Sequence, residues 1–423
     1  MSRSRFLLLL AGLCVALLAS CTSGAALGSS GTVNLTQPTT PPTGSASATT
    51  TAAPGPTPVT PNGMITGLGV DDTSMTVGSL VDQRLDRGFS TGIALWQKSV
   101  NASGGLCGRS IRLLVGRSGE SLPDAYHRIA GTSLGLITLA SPTDAARLND
   151  LTSADEIPAL TLTGSSAQLS RTGSVVIGAT EDIKTINALA YLRSKGKLLR
   201  GSTLYVVTDG SDADAAANAL AGAAWWSQVN GVTVVSRPAE SPYRAFTGAG
   251  AVLVVADPAE IEKVLLTAPA TVDVVTNLGG YDRALITQPD GRLLIAMAGP
   301  AFGSDNPAAA AVAKAFVASG QTDPGPNLMS GYAVAAAWGR LIVQACADRN
   351  LTHAGIAAAL RTVGPASVDS LFGPSDPGLV VTSGLPATRV SSVALADPAA
   401  PAGLRPLIWL QAAPGIADYL PPR

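Results

Sequence analysis

The stretch Ser202–Pro238, STLYVVTDGSDADAAANALAGAAWWSQVNGVTVVSRP, constrains the fold more tightly than any other. Ser202–Thr208 is a short apolar run rich in β-branched and aromatic residues, the pattern of a buried strand. Asp209-Gly210-Ser211-Asp212 interrupts it with turn formers. Ser211 followed by Asp214 has the form of a capping box. Ala213, Ala216, Leu220 and Ala224 then recur at helical spacing as far as Asn230-Gly231, a helix stop. Val232–Ser236 is a second buried strand. Such a strand–helix–strand unit closes by a right-handed crossover into a parallel sheet. Ligands of open parallel sheets collect beyond the carboxyl ends of the strands. Asp209 and Ser211 therefore stand at a candidate site.

The same alternation continues through most of the chain. Met64–Val70 reads as a strand, Thr76–Val100 as a helical pattern and Ile111–Gly116 as a strand. Leu122–Ala130 (helix), Leu134–Ala140 (strand), Thr143–Ser153 (helix) and Pro158–Thr163 (strand) follow. Beyond them come Ile183–Ser194 (helix), Val252–Ala256 (strand), Pro258–Leu266 (helix) and Val272–Leu278 (strand). Pro307–Ser319, Gly331–Ala347 and His353–Val363 read as helices, and Leu407–Leu410 as the last strand. Strands alternating with helices imply an α/β fold with parallel sheets flanked by helices. With 46% hydrophobic and 13% charged residues, a chain of 423 residues can fill the cores of two or three domains. Aromatic residues make up only 4%, so Ala, Gly and Val carry the packing.

The N-terminus reads as an export signal. Arg3 and Arg5 precede the apolar run Phe6–Leu18, which is shorter than the roughly 20 residues a bilayer span needs. The run ends in Leu18-Ala19-Ser20-Cys21, which resembles a bacterial lipobox. That resemblance makes residues 1–20 a lipoprotein signal peptide and Cys21 an acylated membrane anchor; several acyl chains, palmitate among them, hold a protein stably where one does not. Residues 21–62 hold this Cys and a Ser/Thr/Pro-rich tether, able to reach on the order of 100 Å at about 3.1 Å per residue. The formal net charge is −1, and −3 once Arg3 and Arg5 are removed with the leader. No later stretch clusters Lys and Arg, so a nucleic-acid partner is excluded.

A family resemblance emerges at Val100–Arg112, VNASGGLCGRSIR. It is similar to the Asn-Ala-x-Gly-Gly-Ile-x-Gly-Arg segment of type I periplasmic solute-binding proteins, in the branched-chain amino-acid (Leu/Ile/Val) group. The strand and helix order after it matches too, including Ile157-Pro158-Ala159-Leu160-Thr161 and the Gly164-Ser165-Ser166 turn. The resemblance runs from about Gly67 to about Leu410. It implies two α/β lobes joined by three crossovers, with a ligand clamped between them. The expected division is residues 63–180 for the first part of lobe 1 and 181–292 for the first part of lobe 2. Residues 293–370 return to lobe 1, with Leu293–Ala298 as the crossing strand, and 371–423 complete lobe 2.

The resemblance also implies where a solute binds. From the first lobe it points to Ser141, Thr143, Thr163, Gly164 and Ser165, whose hydroxyls and N–H groups would hold a carboxylate. From the second it points to Asp209, Ser211, Asp257 and Asp282, with Asp282 as the partner of a ligand ammonium. The same residue types also populate ordinary turns and helix starts. Two features depart from the family pattern. Ser211-Asp212 stands where Tyr-Gly is usual, and Gly116-Arg117 where an acidic pair is common. With Cys21 acylated, Cys107 and Cys346 form an even pair in an exported chain, either a disulfide or two buried thiols.

Enzyme signatures are weak. Gly131-Thr132-Ser133-Leu134-Gly135 fits G-x-S-x-G, but a helix precedes it and a strand follows, the reverse of a nucleophile elbow. His127 and His353 are the only histidines. No His/Cys/acid cluster has metal-ligand spacing and no Gly-rich phosphate loop occurs, so neither a metal nor a cofactor is expected. The reading is a lipid-anchored, monomeric, extracytoplasmic solute-binding protein. It would capture a small polar solute, an amino acid or an amide, for an ABC permease. The alternative is an envelope lipoprotein that keeps this fold for sensing or protein interaction, without transport.

Overall fold

The computed structural model describes residues 63–162, 164–170, 174–240, 243–286, 289–363, 371–372 and 385–422. The leader, Cys21, the tether to residue 62 and Thr163 lie outside the described residues. Two sheets organise the rest. The first holds β1 (Ser74–Val81), β2 (Ser110–Val115), β3 (Leu136–Leu139), β4 (Ala159–Thr161) and β5 (Ser174–Val176), ordered β2-β1-β3-β4-β5 and parallel throughout. The second holds β6 (Thr203–Thr208), β7 (Thr233–Pro238), β8 (Ala249–Val255), β9 (Asp273–Asn277), β10 (Leu293–Met297), β11 (Ser391–Ala396) and β12 (Leu404–Gln411). Its order is β12-β11-β10-β9-β8-β6-β7. Strands β6 to β10 run parallel, and β11 and β12 close the edge antiparallel.

The helices are α1 (Phe89–Ala102), α2 (Leu122–Ile129), α3 (Pro142–Ala154), α4 (Glu181–Ser194), α5 (Ala213–Asn230), α6 (Pro258–Thr267), α7 (Pro307–Ala318), α8 (Leu328–Ala347) and α9 (His353–Thr362). One core joins the first sheet to α1, α8 and α9 through Phe89, Trp96, Val334, Trp338 and Ile356. Two further cores cover the faces of the second sheet, one with α4 and α5 and the other with α6. The chain therefore changes lobe three times: after β5, after β10 and between α9 and β11.

Several sequence expectations are corrected here. Thr76–Val100 is not one helical stretch. Its start lies in β1, paired on both sides within the first sheet. The β1 sequence, SMTVGSLV, mixes small polar and apolar residues over two buried faces, a pattern that periodicity alone does not separate from a helix. Within Met64–Val70, only Ile65–Thr66 forms a strand, paired with Asn350–Leu351. Leu293–Met297 is an interior strand of the second sheet, so the return to the first lobe begins after it. α8 begins at Leu328, ahead of Gly331, and the cap of α5 is Asp212 in place of Ser211.

Glycine sets how closely α1 meets α8. A Cβ on Gly92 would lie 2.1 Å from the Leu328 carbonyl oxygen, and one on Gly331 would lie 2.0 Å from that of Phe89. Backbone approaches backbone there, and only glycine permits it. Toward the far end of the same helix pair, Cys107 and Cys346 are joined by a disulfide with Cα atoms 6.4 Å apart, across 239 residues of chain. A link closing so long a loop restricts the unfolded chain, typically stabilising by about 2–4 kcal/mol. Replacing both cysteines by serine is expected to lower unfolding free energy by about that amount. Chemical denaturation of wild type with and without reductant, beside the double variant, checks it; three superimposable curves would contradict it.

Candidate functional site

Every strand-to-helix loop of a parallel sheet leaves the same edge, and here the two sheets present these edges to each other. A cavity of about 310 Å³ lies between them. The first lobe contributes Asp82, Arg84, Leu85 and Arg87, the β3 end Leu139–Ser141, and Leu162, Gly164 and Ser165. The second contributes Glu181, Lys184, Ser211, Asp212, Ala215, Val255–Pro258 and Asn277–Gly280. Met297, Ala298, Asn327 and Ser330 complete the wall, which among the described residues holds no aromatic side chain.

The expected site residues divide into three groups. Ser141, Gly164, Ser165, Ser211 and Asp257 line the cavity. Thr143 is exposed on α3 and does not, and Thr163 lies outside the described residues. Asp209 and Asp282 shape the site from behind. Asp209 accepts from the Ser211 N–H and hydroxyl at 2.8 and 2.5 Å, and from the Asp257 N–H at 2.8 Å. It thereby ties the end of β6 to the end of β8 and positions both lining residues. Burial pushes its carboxyl up, yet these hydrogen bonds outweigh burial and leave it below the ordinary carboxylate value.

Asp282 accepts from the Ala284 N–H at 2.8 Å and lies 3.9 Å from the Arg87 guanidinium. Arg87 belongs to the first lobe, where it ends the single helical turn Gln83–Asp86 in a left-handed conformation with φ 36°. Its Nη1 donates to the Leu278 carbonyl at 3.1 Å and also to that of Tyr281. Burial pushes this guanidinium down, partly offset by Asp282. Arg87 is thus a clasp across the cleft mouth, and the spacing of polar residues gave no signal for it.

The sequence pattern also passed over Glu181 and Lys184. They form an ion pair with side chains 11% and 10% exposed. A Cβ on Gly164 would sit 3.2 Å from Glu181 Oε1 and 3.5 Å from Lys184 Nζ, so Gly164 gives this pair its room. Asp212 caps α5 by accepting from the Ala215 N–H at 2.8 Å. Burial raises its pKa, and nearby Glu181 adds to that more than Lys184 relieves it. One residue into α4, Asp182 is fully buried and accepts from Thr180, from the Ile183 N–H and, at 2.9 Å, from the Tyr419 hydroxyl. A second contact across the cleft runs from the Ser166 N–H to Asn218 Oδ1 at 2.6 Å.

Two suspects for enzyme chemistry are engaged elsewhere. Ser133 is fully buried and its hydroxyl donates to the Ile129 carbonyl at 3.0 Å, while His353 Nε2 lies 2.9 Å from the Ser133 carbonyl oxygen. Exposed His127 stacks edge-on against Tyr126.

No protein-family model matches the sequence, and no curated protein matches it. Solved structures do. A fatty acid ABC transporter substrate-binding protein from Thermomonospora curvata superimposes with a TM-score of 0.72 at 23% identity, over 86% of this chain and 98% of that one. A solute-binding protein from Rhodopseudomonas palustris in complex with p-hydroxybenzoic acid gives 0.63 at 13% identity, over 82% and 100%. A branched-chain amino acid ABC transporter protein from Thermus thermophilus with bound valine gives 0.61 at 13%, over 82% and 98%. The chain therefore has the two-lobed α/β fold of ABC-transporter substrate-binding proteins, those of the leucine/isoleucine/valine type among them.

Two outcomes follow from this geometry. Arg87→Ala removes the clasp; hydrogen bonds from a charged donor are worth about 1.5–3 kcal/mol each, so the lobes should separate on average. Small-angle scattering should show a larger radius of gyration for the variant; an unchanged radius contradicts the clasp. Burial also raises the pKa of Asp182 above its ordinary 3.8, so the folded chain holds that proton to higher pH than the unfolded one. Stability from this group is present at low pH and lost as pH rises through the raised value. Asp182→Asn should gain stability relative to wild type as pH rises to neutrality, measured by urea denaturation; a pH-independent difference contradicts it.

Proposed function

We propose that this chain is an extracytoplasmic solute-binding protein, anchored through an acylated Cys21. It captures a small polar solute between its lobes and hands it to an ABC importer. The observation that carries the reading is the cavity itself, lined from both lobes by loops at the strand carboxyl ends. Its 310 Å³ falls at the small end of the range of about 300–1,000 Å³ usual for ligand sites. Polar groups from Ser141, Ser165, Ser211 and Asn277 alternate on its wall with Leu85, Leu139, Leu162 and Val255, which suits a solute with a polar head and a short apolar body.

Capture by such a site is a hinge motion. Arg87 on one rim and the Leu278–Asp282 loop on the other meet only when the lobes come together, so a solute that bridges them adds to contacts the protein already makes. The substrate-binding proteins similar in structure include ones described with a fatty acid, p-hydroxybenzoic acid and valine. Solutes of that size are the class to screen here.

Thermal-shift screening against amines, amino acids, amides, carboxylates and sugars tests the proposal. A binder present at 100 times its Kd should stabilise the fold by about 2.7 kcal/mol. Ser211→Trp fills the cleft from an exposed rim position and should abolish that shift without unfolding the chain. Silence across all classes, or a shift that survives Ser211→Trp, would refute capture in this cavity.

A further inference from the structure

The charges on the cavity wall are not evenly engaged. Each cation there already serves the chain itself. Arg84 donates to Asp82 at 2.8 Å, Arg87 holds the Leu278 and Tyr281 carbonyls and Asp282, and Lys184 is paired with Glu181. Two carboxylates differ. Asp212 uses one oxygen to cap α5 and makes no ion pair among the described residues. The Asp257 carboxylate has neither a hydrogen bond nor an ion pair there, and feels Arg84 only at longer range.

Helix N-termini sharpen the asymmetry. The first turns of α3, α4, α5 and α6 all face this cavity, and a helix N-terminus carries roughly half a positive charge that draws anions. Here the chain supplies the anions: Asp144 on α3, Glu181 and Asp182 on α4, Asp212 and Asp214 on α5, and Asp257 and Glu260 on α6. Pro142 and Pro258 at the first positions of α3 and α6 also remove N–H groups that a ligand carboxylate would use. A solute anion finds there neutral hydroxyls and cations that the chain's own carboxylates or carbonyls already hold. A solute cation meets two carboxylates without an ion pair among the described residues.

We infer that the cavity selects a small amine or ammonium solute that bears no carboxylate, with Asp212 and Asp257 as the groups that recognise its positive end. This rests on the solute-binding reading and narrows it. An ammonium between them would donate to the free Asp212 oxygen and to Asp257, while the aliphatic wall takes the rest of the molecule. The half-buried setting of Asp212 strengthens its attraction for a cation, because the same weak screening that disfavours its bare charge favours the pair.

Calorimetry on the full chain with matched probes tests this: isoamylamine against isovalerate, which share a carbon skeleton, and valinamide against valine. The amine and the amide should bind. Isovalerate should not, and valine should bind at least about tenfold more weakly than valinamide, as expected for one charged group left unmatched. Asp212→Asn keeps the helix cap and removes the charge, and should weaken isoamylamine by about tenfold or more. Asp257→Asn, on the exposed rim, should weaken it as well and serves if the first variant folds poorly. If isovalerate or valine binds as tightly as its partner, or if neither substitution changes amine affinity, the inference falls while solute capture stands. If no member of either series binds, the inference falls, and solute capture is decided by the broader thermal-shift screen.

Discussion

Parallel pairing of strands is the constraint on which this molecule depends. A strand that must return to the same sheet edge sends every strand-to-helix turn out at one side. With two such sheets on one chain and edges facing, turns and helix starts from both are gathered around a single space whether or not any one of them binds anything. The residues that bind must then be found among those the turns require anyway. Asp209 shows how the two demands are met together. It ends β6 as a turn former, and the same carboxylate fixes the neighbouring loop through the Asp257 N–H.

Legibility in the sequence followed burial. The unit from Ser202 to Pro238 declared itself because its strands are short apolar runs broken by Asp, Gly and Asn. The structure places β6, α5 and β7 there with small shifts at the ends. β1 is hard to read because Met75 and Val77 face one core and Leu80 another, so the alternation breaks after Gly78. Its Gly78 is required by close approach, since a Cβ would lie 2.5 Å from Leu136 Cδ2, and a lone glycine says nothing of that beforehand.

The site was legible as a set of loops and not as a set of roles. Turn-forming residues marked where the chain leaves each strand, which located Ser141, Gly164, Ser165, Ser211 and Asp257 on the cavity. Spacing along the chain carries no information about which carboxylate meets which cation across the cleft. The resemblance points Asp282 at a ligand, and the fold also sets Arg87, 195 residues earlier in the numbering, beside it. Glu181 and Lys184 carry no mark in the sequence of a buried pair, yet the Gly164 backbone leaves the room in which they are buried. Long-range pairing of charges is decided by the fold, and only the fold reveals it.

The central claim is that the space between the lobes holds a solute. The measurement that meets it most directly is a crystal structure of the protein as isolated from its own host, without added ligand. The account predicts density for a small molecule within the cavity, touching Asp212 or Asp257 on one lobe and the Ser141 or Ser165 loop on the other. Density for a solute seated elsewhere on the molecule, with side chains of the two rims filling the cavity, would contradict it.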